Sequence, residues 1–322
     1  MKNDTKISVV IPTYNRARLI KKSITSILNQ TYKNIEIVVV DDASSDNTEE
    51  IVKSIEDSRI KYIKLKKNSG ACVARNMGIK AAKGKYISFN DSDDEYLPEK
   101  IEIQYNNLIK NNSDMDFCKV RIFIDNCELI VPDDMRINEM GRKGYLKELL
   151  AGNYISTQAI LVKKSVITKY MFDEKLPRFQ DYDLVLRMAA DVNMSFTDDI
   201  LVNIYNSKDS ISNSNEKLLE AVKIMINKKY NMNEEYKEML RLFLIQCYAN
   251  ISNKNYVNCI DDLNNKSKEI DRLNKVVYNQ QQNINALQSE IDKIINSKSW
   301  KITKPLRIVT NKLSKLKWYR NG

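Results

Sequence analysis

The first third of the chain alternates short β-branched apolar runs with segments in which apolar residues recur every three or four positions. Short apolar runs bounded by polar clusters predict buried strands, and a 3.6-residue period predicts amphipathic helices. The predicted strands are residues 7–11, 35–40, 60–65 and 86–89, and the predicted helices are residues 17–29, 48–56 and 71–82. Because strand–helix alternation builds βαβ units, the pattern predicts an α/β fold with a mostly parallel sheet flanked by helices.

The pattern changes further along the chain. Strands are predicted at residues 117–124 and 159–162, and helices at residues 143–150 and 182–190. From about residue 215 the pattern is helical, and residues 263–294 repeat apolar residues every seven positions. β-branched residues at position a with Leu at d favour a parallel two-stranded coiled coil. The alternative is a helix that packs back on its own body.

The last segment, residues 297–322, holds eight basic residues and no acidic one, so +8 of the formal net charge of +10 belongs to it. Its apolar residues share one helical face, and Trp300, Trp318 and Tyr319 flank it. A basic amphipathic helix of this kind is typical of contact with an anionic membrane surface. A solvated tail or a helix that docks on a partner is the alternative. Nucleic acid is not expected, because no base-reading motif accompanies the charge.

The amino-acid composition limits which side chains can transfer protons or bind a metal. The chain has 322 residues, five scattered cysteines without a CxxC pair, and no histidine. The cysteines indicate a reducing compartment, so we expect a cytoplasmic protein with peripheral contact at the inner face of the cell membrane. No apolar run is long enough to span a bilayer. Without imidazole, proton transfer falls to other side chains, and a metal site favours the oxygen-bound ions Mg²⁺ or Mn²⁺.

Three polar clusters follow predicted strands and should meet at one edge of the sheet. The first is Pro12-Thr13-Tyr14-Asn15-Arg16, the second runs from Asp41 to Asp46, and the third is Asp91-Ser92-Asp93-Asp94. Carboxylates at positions i and i+2 of a loop can hold one divalent cation against a diphosphate. Asp46 lies where it would only cap the next helix.

Together these motifs resemble family 2 glycosyltransferases over residues 5–212. The resemblance rests on Ile7–Asn15, on Val40–Thr48, on Asn68-Ser69-Gly70-Ala71 with Ala74-Arg75-Asn76, and on the Asp91–Asp94 cluster, in the family's order. It implies an inverting enzyme of the GT-A fold that uses a UDP- or dTDP-sugar and Mn²⁺ or Mg²⁺.

The resemblance also implies roles for individual residues. The nucleotide would contact Pro12, Thr13, Tyr14, Arg16, Asp41, Asp42, Arg75, Asp91 and Ser92. Asp93 would be the main metal ligand, with Asp91 beside it, and Asp94 would share that role or cap the helix that starts near Pro98. The general base would be Asp181, in Phe179-Gln180-Asp181-Tyr182-Asp183-Leu184-Val185-Leu186-Arg187. The alternative for Asp181 is a plain helix cap, and Asp183 and Arg187 are expected to be structural or to position the acceptor.

Two positions depart from the family's pattern. Gln180 stands where relatives carry Glu, and the loss of that negative charge should lower the pKa of Asp181 relative to a paired carboxylate. The segment Ser207-Lys208-Asp209-Ser210-Ile211-Ser212 lacks the His that many relatives carry before it.

The sequence therefore predicts a catalytic domain over residues 1–212, a helical region over 213–296 and a basic tail over 297–322. We expect transfer of a sugar to a glycan, lipid-linked or protein acceptor, with a homodimer formed through the coiled coil. The competing hypothesis is a nucleotide-sugar-binding scaffold with weak or no catalysis. A nucleotidyltransferase would need a glycine-rich phosphate loop near the N-terminus, and residues 12–16 contain no glycine.

Overall fold

A computed structural model describes residues 5–124, 127–132, 148–150, 152–205 and 214–252, with the isolated positions 282 and 289. The chain divides into two compact units, Met1–Ser252 and Asn253–Gly322. The heptad segment, the basic tail and residues 207–212 lie outside the described residues, as does most of the helix predicted at 143–150. Predictions for these segments remain predictions.

The described strands form one nine-stranded sheet. They are β1 Ile7–Thr13, β2 Ile35–Asp41, β3 Ile60–Lys64, β4 Tyr86–Phe89, β5 Glu95–Tyr96, β6 Met115–Ile124, β7 Cys127–Val131, β8 Ile160–Lys163 and β9 Met194–Tyr205. Their order across the sheet is β3-β2-β1-β4-β8-β6-β9-β5, and β7 pairs with the edge of β6. Every residue of β1, β2 and β4 is buried, as expected of strands covered on both faces.

Helices flank this sheet. They are α1 Ile20–Leu28, α2 Thr48–Lys53, α3 Ala71–Ala81, α4 Lys100–Lys110, α5 Lys164–Tyr170, α6 Gln180–Met188, α7 Asn215–Ile226 and α8 Glu234–Ser252. The apolar stripe on α1 shows why it forms: Ile20, Ile24 and Ile27 lie one turn apart and are fully buried. Among the described residues, no helix is both long and apolar enough to cross a membrane.

The prediction of a mostly parallel sheet holds for one half only. Strands β3, β2, β1 and β4 are mutually parallel. Beyond β4, strand β8 runs antiparallel to both β4 and β6, while β6 and β9 are parallel. The α/β class is confirmed, but the sheet is mixed. Strands β5, β7 and β9 were not predicted.

Buried polar side chains fix strand β4 close to its carboxyl end. The Ser88 hydroxyl donates to the carbonyl of Ile160 at 2.7 Å, and the Lys100 ammonium donates to Ser88 at 3.1 Å and to Gln104 at 2.6 Å. Burial lowers the pKa of Lys100 to about 8. These contacts fix the backbone immediately before the third polar cluster.

The turn into β4 is packed too tightly for any side chain. The amide of Gly84 donates to the Ser8 hydroxyl at 2.8 Å and to the Glu36 carboxylate at 3.1 Å. A Cβ at this position would lie 2.6 Å from the backbone nitrogen of Ser8. The backbone of β1 must shift to accept it.

We predict that Gly84→Ala lowers the free energy of unfolding by about 1–3 kcal/mol, the usual range for overpacking a core. Denaturant unfolding measures the change. The control is Lys83→Ala, which keeps the backbone donor to Glu36 and should change stability by less than about 0.5 kcal/mol. Equal stability of Gly84→Ala and the parent protein would contradict this prediction.

Candidate active site

The three polar clusters meet at the carboxyl edge of the sheet. Strand β1 lies between β2 and β4, and all three are parallel, so the loops that follow them emerge side by side. The first two loops are joined directly: the amide of Asn15 donates to the Ser44 hydroxyl at 2.9 Å, and its side-chain oxygen accepts from the amide of Ser45 at 2.9 Å. Asn15 has a φ of 51°, a left-handed conformation that Asn tolerates.

The residues predicted to contact the base differ in exposure. Pro12 and Thr13 end β1 and are buried, whereas the Tyr14 side chain is 43% exposed at the mouth of the site. The hydroxyl of Thr13 is buried and has no hydrogen-bond partner among the described atoms. A partly exposed ring above a polar strand end can pack against a planar base.

Asp41 and Asp42 are both buried and both hold loops. One oxygen of Asp41 accepts from the amide of Ser44 at 2.8 Å, and the other accepts from the hydroxyl of Tyr62. Burial and the charge of Asp41 raise the pKa of Tyr62. Asp42 accepts from the amides of Ser69 and Gly70, each at 2.7 Å.

These contacts show a role that the sequence did not reveal. Asp42 ties the Asn68–Gly70 turn, at the start of α3, to the end of β2. Gly70 has a φ of 94°, so the turn requires glycine. Asp46 is structural, as predicted: it accepts from the amides of Ala17 and Thr48 at 3.1 and 3.0 Å, which holds the start of α2.

The carboxylates of the third cluster differ in exposure and in their partners. Asp91, with a side chain 30% exposed, accepts from Arg75 at 2.7 Å and from Gln158 at 2.8 Å. Ser92 is buried, and the side chain of Asp93 is 19% exposed and lies 3.9 Å from Arg16. Asp93 and Arg16, predicted for metal and nucleotide, therefore lie together.

Asp94 does not cap the next helix, which corrects one of its two predicted roles. It is buried and accepts from the Gln158 side chain and from the amide of Tyr205 at 3.0 Å. Helix α4 begins after Glu99 without a side-chain cap. Burial, with the charges of Asp91 and Asp93, raises the pKa of Asp94 well above its ordinary value. Because both of its oxygens accept hydrogen bonds from the protein, Asp94 is less available to a metal ion.

The donor set fits a hard divalent cation bound mainly by its substrate. Among the described residues, no group of three His, Cys, Asp or Glu side chains could hold a metal ion. Asp93 and Asp91 supply carboxylate oxygens from one loop, and Mg²⁺-type ions are often bound by one or two carboxylates plus phosphate oxygens. Asp91 is engaged by Arg75 and Gln158, and Asp93, the metal ligand that the family resemblance implies, lies beside Arg16.

A buried arginine connects this cluster to the predicted base. The Arg75 guanidinium, 7% exposed, donates to Asp91 at 2.7 Å and to the side-chain oxygen of Gln180 at 2.8 Å. Its Nε is buried without a hydrogen-bond partner in the described part of the chain. Burial acts to lower the pKa of Arg75, but the charges and hydrogen bonds of its neighbours, Asp91 foremost, together outweigh burial, and the pKa is raised.

Asp181 lies in the first turn of α6, beside Gln180. One of its oxygens accepts from the amide of Tyr182 at 2.8 Å and from the side chain of Asn153 at 3.1 Å. Burial raises its pKa, and the charge of Arg75 partly offsets that effect. The residue that precedes α6 is Phe179, so Asp181 is not the helix cap.

Asp183 and Arg187 have a structural role. Asp183 is fully buried and contacts Arg187 at 2.8 Å, Lys228 at 2.7 Å and the hydroxyl of Tyr230 at 2.9 Å. Arg187 also donates to the carbonyls of Tyr170 and Met171. These bonds anchor α6, and hence Asp181, to the segment after α7.

Gln158 and Asn153 are the functional residues that the sequence did not suggest. Asn153 lies in irregular backbone and Gln158 in the short 3₁₀ helix Thr157–Ala159 before β8, where no periodic pattern marks them. Only the pairing of β8 with β4 places Gln158 beside Asp91 and Asp94.

Relatives with known sequences share this region. An uncharacterized glycosyltransferase of Rickettsia conorii is 52% identical over 111 residues, which are 34% of this chain and 18% of that protein. The Escherichia coli protein WfgD, a UDP-Glc:α-D-GlcNAc-diphosphoundecaprenol β-1,3-glucosyltransferase, is 33% identical over 196 residues, which are 60% of this chain and 73% of that protein. The chain thus spans about a fifth of its rickettsial relative.

Solved structures share the fold. Staphylococcus aureus TarS 1–349 in complex with UDP-GlcNAc has a TM-score of 0.59 at 20% identity, over 76% of this chain and 73% of that one. The mannosyltransferase PcManGT of Pyrobaculum calidifontis, in complex with GDP-Man and Mn²⁺, has a TM-score of 0.56 at 16% identity, over 82% and 80%. At such identity the likeness concerns the fold alone.

The family itself is decided by sequence. Residues 8–169, about half of the chain, match the family described as glycosyl transferase family 2. That range contains all three polar clusters, Arg75 and Gln158, while Asp181 follows it. The chain belongs to glycosyl transferase family 2.

Proposed function

We propose that the chain is an inverting glycosyltransferase that moves a sugar from a UDP- or dTDP-sugar to a hydroxyl group. The acceptor belongs to surface polysaccharide, lipid-linked oligosaccharide or protein glycan synthesis. One observation carries the proposal: Arg75 joins Asp91, in the metal and nucleotide cluster, to Gln180, the neighbour of Asp181. A donor-side carboxylate is thereby linked through Arg75 to the residue that directly precedes the candidate base.

The negative charge of the leaving group determines the roles of the residues on the donor side. In glycosyl transfer the nucleoside diphosphate leaves with its negative charge, which cationic groups stabilise. Asp93, with Asp91 beside it, would hold a Mn²⁺ or Mg²⁺ ion, which supplies positive charge to that leaving group. The buried Nε of Arg75 lacks a partner in the described part of the chain and supplies a further donor. PcManGT, named with GDP-Man and Mn²⁺, supports metal use.

On the acceptor side, Asp181 removes the proton from the attacking hydroxyl. An inverting reaction needs one carboxylate on the face opposite the leaving group. The raised pKa of Asp181, caused by burial, makes it a stronger base than a solvated carboxylate. Asn153 donates to this carboxylate and orients it.

The name of WfgD supports the acceptor class. It specifies a UDP-sugar donor and a lipid diphosphate that carries a sugar. We therefore favour a lipid-linked acceptor over a protein. Dimerisation through residues 263–294 and membrane contact through residues 297–322 remain predictions, which sedimentation and vesicle binding of the full chain would measure.

Asp93→Ala should remove the metal dependence of donor binding. We expect the gain in nucleotide-sugar affinity on adding Mn²⁺ to fall at least about tenfold, because the main protein ligand is lost. Calorimetric titration with and without Mn²⁺ measures it. Asp198→Ala, at an exposed carboxylate paired with Lys119, is the control and should leave binding unchanged. An intact Mn²⁺ effect in Asp93→Ala would exclude Asp93 from the metal site.

Asp181→Asn should keep donor binding and lower transfer about a hundredfold or more, because an amide cannot accept the proton. Initial rates with a sugar-diphosphate-lipid acceptor, beside calorimetric donor affinity, measure the two effects separately. Asp191→Asn, at an exposed carboxylate near the far end of α6, is the matched control. Full transfer by Asp181→Asn would remove Asp181 as the base. Absence of transfer by the parent protein, with donor binding intact, would favour the scaffold hypothesis.

Gln180→Glu should shift the acidic side of the pH–rate profile for sugar transfer to higher pH. Asp181 must be deprotonated to act, so the rate falls as pH drops through its pKa. A second carboxylate beside it raises that pKa. Gln180→Met removes the hydrogen bonds without adding charge, and should lower the rate without shifting the profile. An acidic side that stays in place in Gln180→Glu would contradict the electrostatic coupling.

A further inference from the structure

In the part of the chain that the structure describes, Arg178 is a cation without a carboxylate partner, close in sequence to the candidate base. It lies three residues before Asp181 and directly before Phe179, which has a φ of 58° and precedes α6. Its side chain is partly buried, and its hydrogen bond goes from Nη1 to the carbonyl of Ser214 at 3.3 Å. Within the described ranges, no Asp or Glu oxygen lies within ion-pair distance of it.

Three other buried or partly buried arginines are each paired with a carboxylate. Arg75, Arg187 and Arg59 each contact a carboxylate at 2.7–2.8 Å. Burial lowers the pKa of Arg178, and the charge of Asp181 only partly opposes the effect. Partial removal of a guanidinium from water has a free-energy cost that a paired anion would offset. Such an uncompensated charge beside a base indicates a ligand that brings the anion.

Arg178 lies next in sequence to an aromatic cluster that packs around the start of α6. The Phe179 ring packs edge-on against Tyr182 with centroids 5.7 Å apart, and Tyr182 packs against Phe243 of α8 at 5.6 Å. The charge of Asp181 acts on both Arg75 and Arg178, whereas that of Asp91 is felt by Arg75. Arg75 thus contacts Asp91 on the donor side, whereas no contact between Arg178 and Asp91 is found among the described residues.

We propose that Arg178 determines acceptor specificity by binding a phosphate or diphosphate group that the acceptor carries near its reacting hydroxyl. This inference rests on the proposed function. A guanidinium binds phosphate oxygens through paired, charge-assisted hydrogen bonds, and the single long bond to Ser214 leaves most of its donors available. The phosphate would supply the counter-charge that the described residues do not provide.

The test is calorimetric titration of the full chain with geranyl diphosphate, a short lipid diphosphate, with and without saturating UDP. Geraniol, which has no phosphate, and glycerol 3-phosphate, which has one phosphate and no lipid, are titrated in parallel. We expect geranyl diphosphate to bind with UDP present and more tightly than geraniol. Arg178→Gln should weaken it at least about tenfold, since one charge-assisted pair is lost.

Two further variants keep the result interpretable. Arg178→Lys retains the charge but not the planar fork, and should lose less affinity than Arg178→Gln. Arg59→Gln, at a half-buried arginine paired with Asp57 before β3, is the matched control and should bind as the parent protein does. A merely structural role for Arg178 would change thermal stability, leaving the affinity ratio of geranyl diphosphate to geraniol as it was.

Several outcomes would overturn the proposal. They are equal binding of geranyl diphosphate and geraniol, unchanged affinity in Arg178→Gln, or displacement by UDP, which would put the anion in the nucleotide site. Weakened UDP binding in Arg178→Gln would also assign Arg178 to the donor side and overturn it. Tight binding of glycerol 3-phosphate would retain Arg178 but indicate a phosphate polymer instead of a lipid diphosphate. Failure of the proposed function is seen separately, as absent nucleotide-sugar binding.

Discussion

The buried guanidinium of Arg75 is the interaction on which the rest of the site depends. It comes from α3, whose start is fixed by Asp42, and it reaches both Asp91 after β4 and Gln180 at the start of α6. A charge this deeply buried is stable only while its anion stays in place, so removing either partner would be costly. The carboxylate cluster is thereby coupled to the helix that carries Asp181.

The acidic residues of the site then separate into different roles by environment. The carboxylate oxygens of Asp41 and Asp42 accept hydrogen bonds from loop amides. Burial and two neighbouring negative charges raise the pKa of Asp94. Asp93 remains the candidate metal ligand, and Asp181, which is partly buried, the candidate base. Neighbouring carboxylates serve distinct functions because their surroundings push their pKa values apart.

Much of the N-terminal half was predictable because its strands are apolar throughout and its helices carry regular stripes. Parallel strand ends brought Thr13, Asp41 and Asp91 to one edge, as the sequence indicated. Strand β9 was missed because polar residues interrupt it where its register with β6 shifts. Strand β5 has two residues, too few for a pattern. Strand β7 is a short apolar run that is exposed along most of its length, so the sequence pattern did not mark it as part of a buried sheet. Contacts such as Gln158 with Asp91 join residues far apart in sequence, which no local pattern encodes.

The central claim is that this edge of the sheet binds a nucleotide sugar through a metal. The most direct test is calorimetric titration of the full chain with a panel of UDP-, dTDP- and GDP-sugars, with and without Mn²⁺. The account predicts tight, Mn²⁺-dependent binding of one UDP- or dTDP-sugar. Absence of binding by every member of the panel, in either condition, would contradict it.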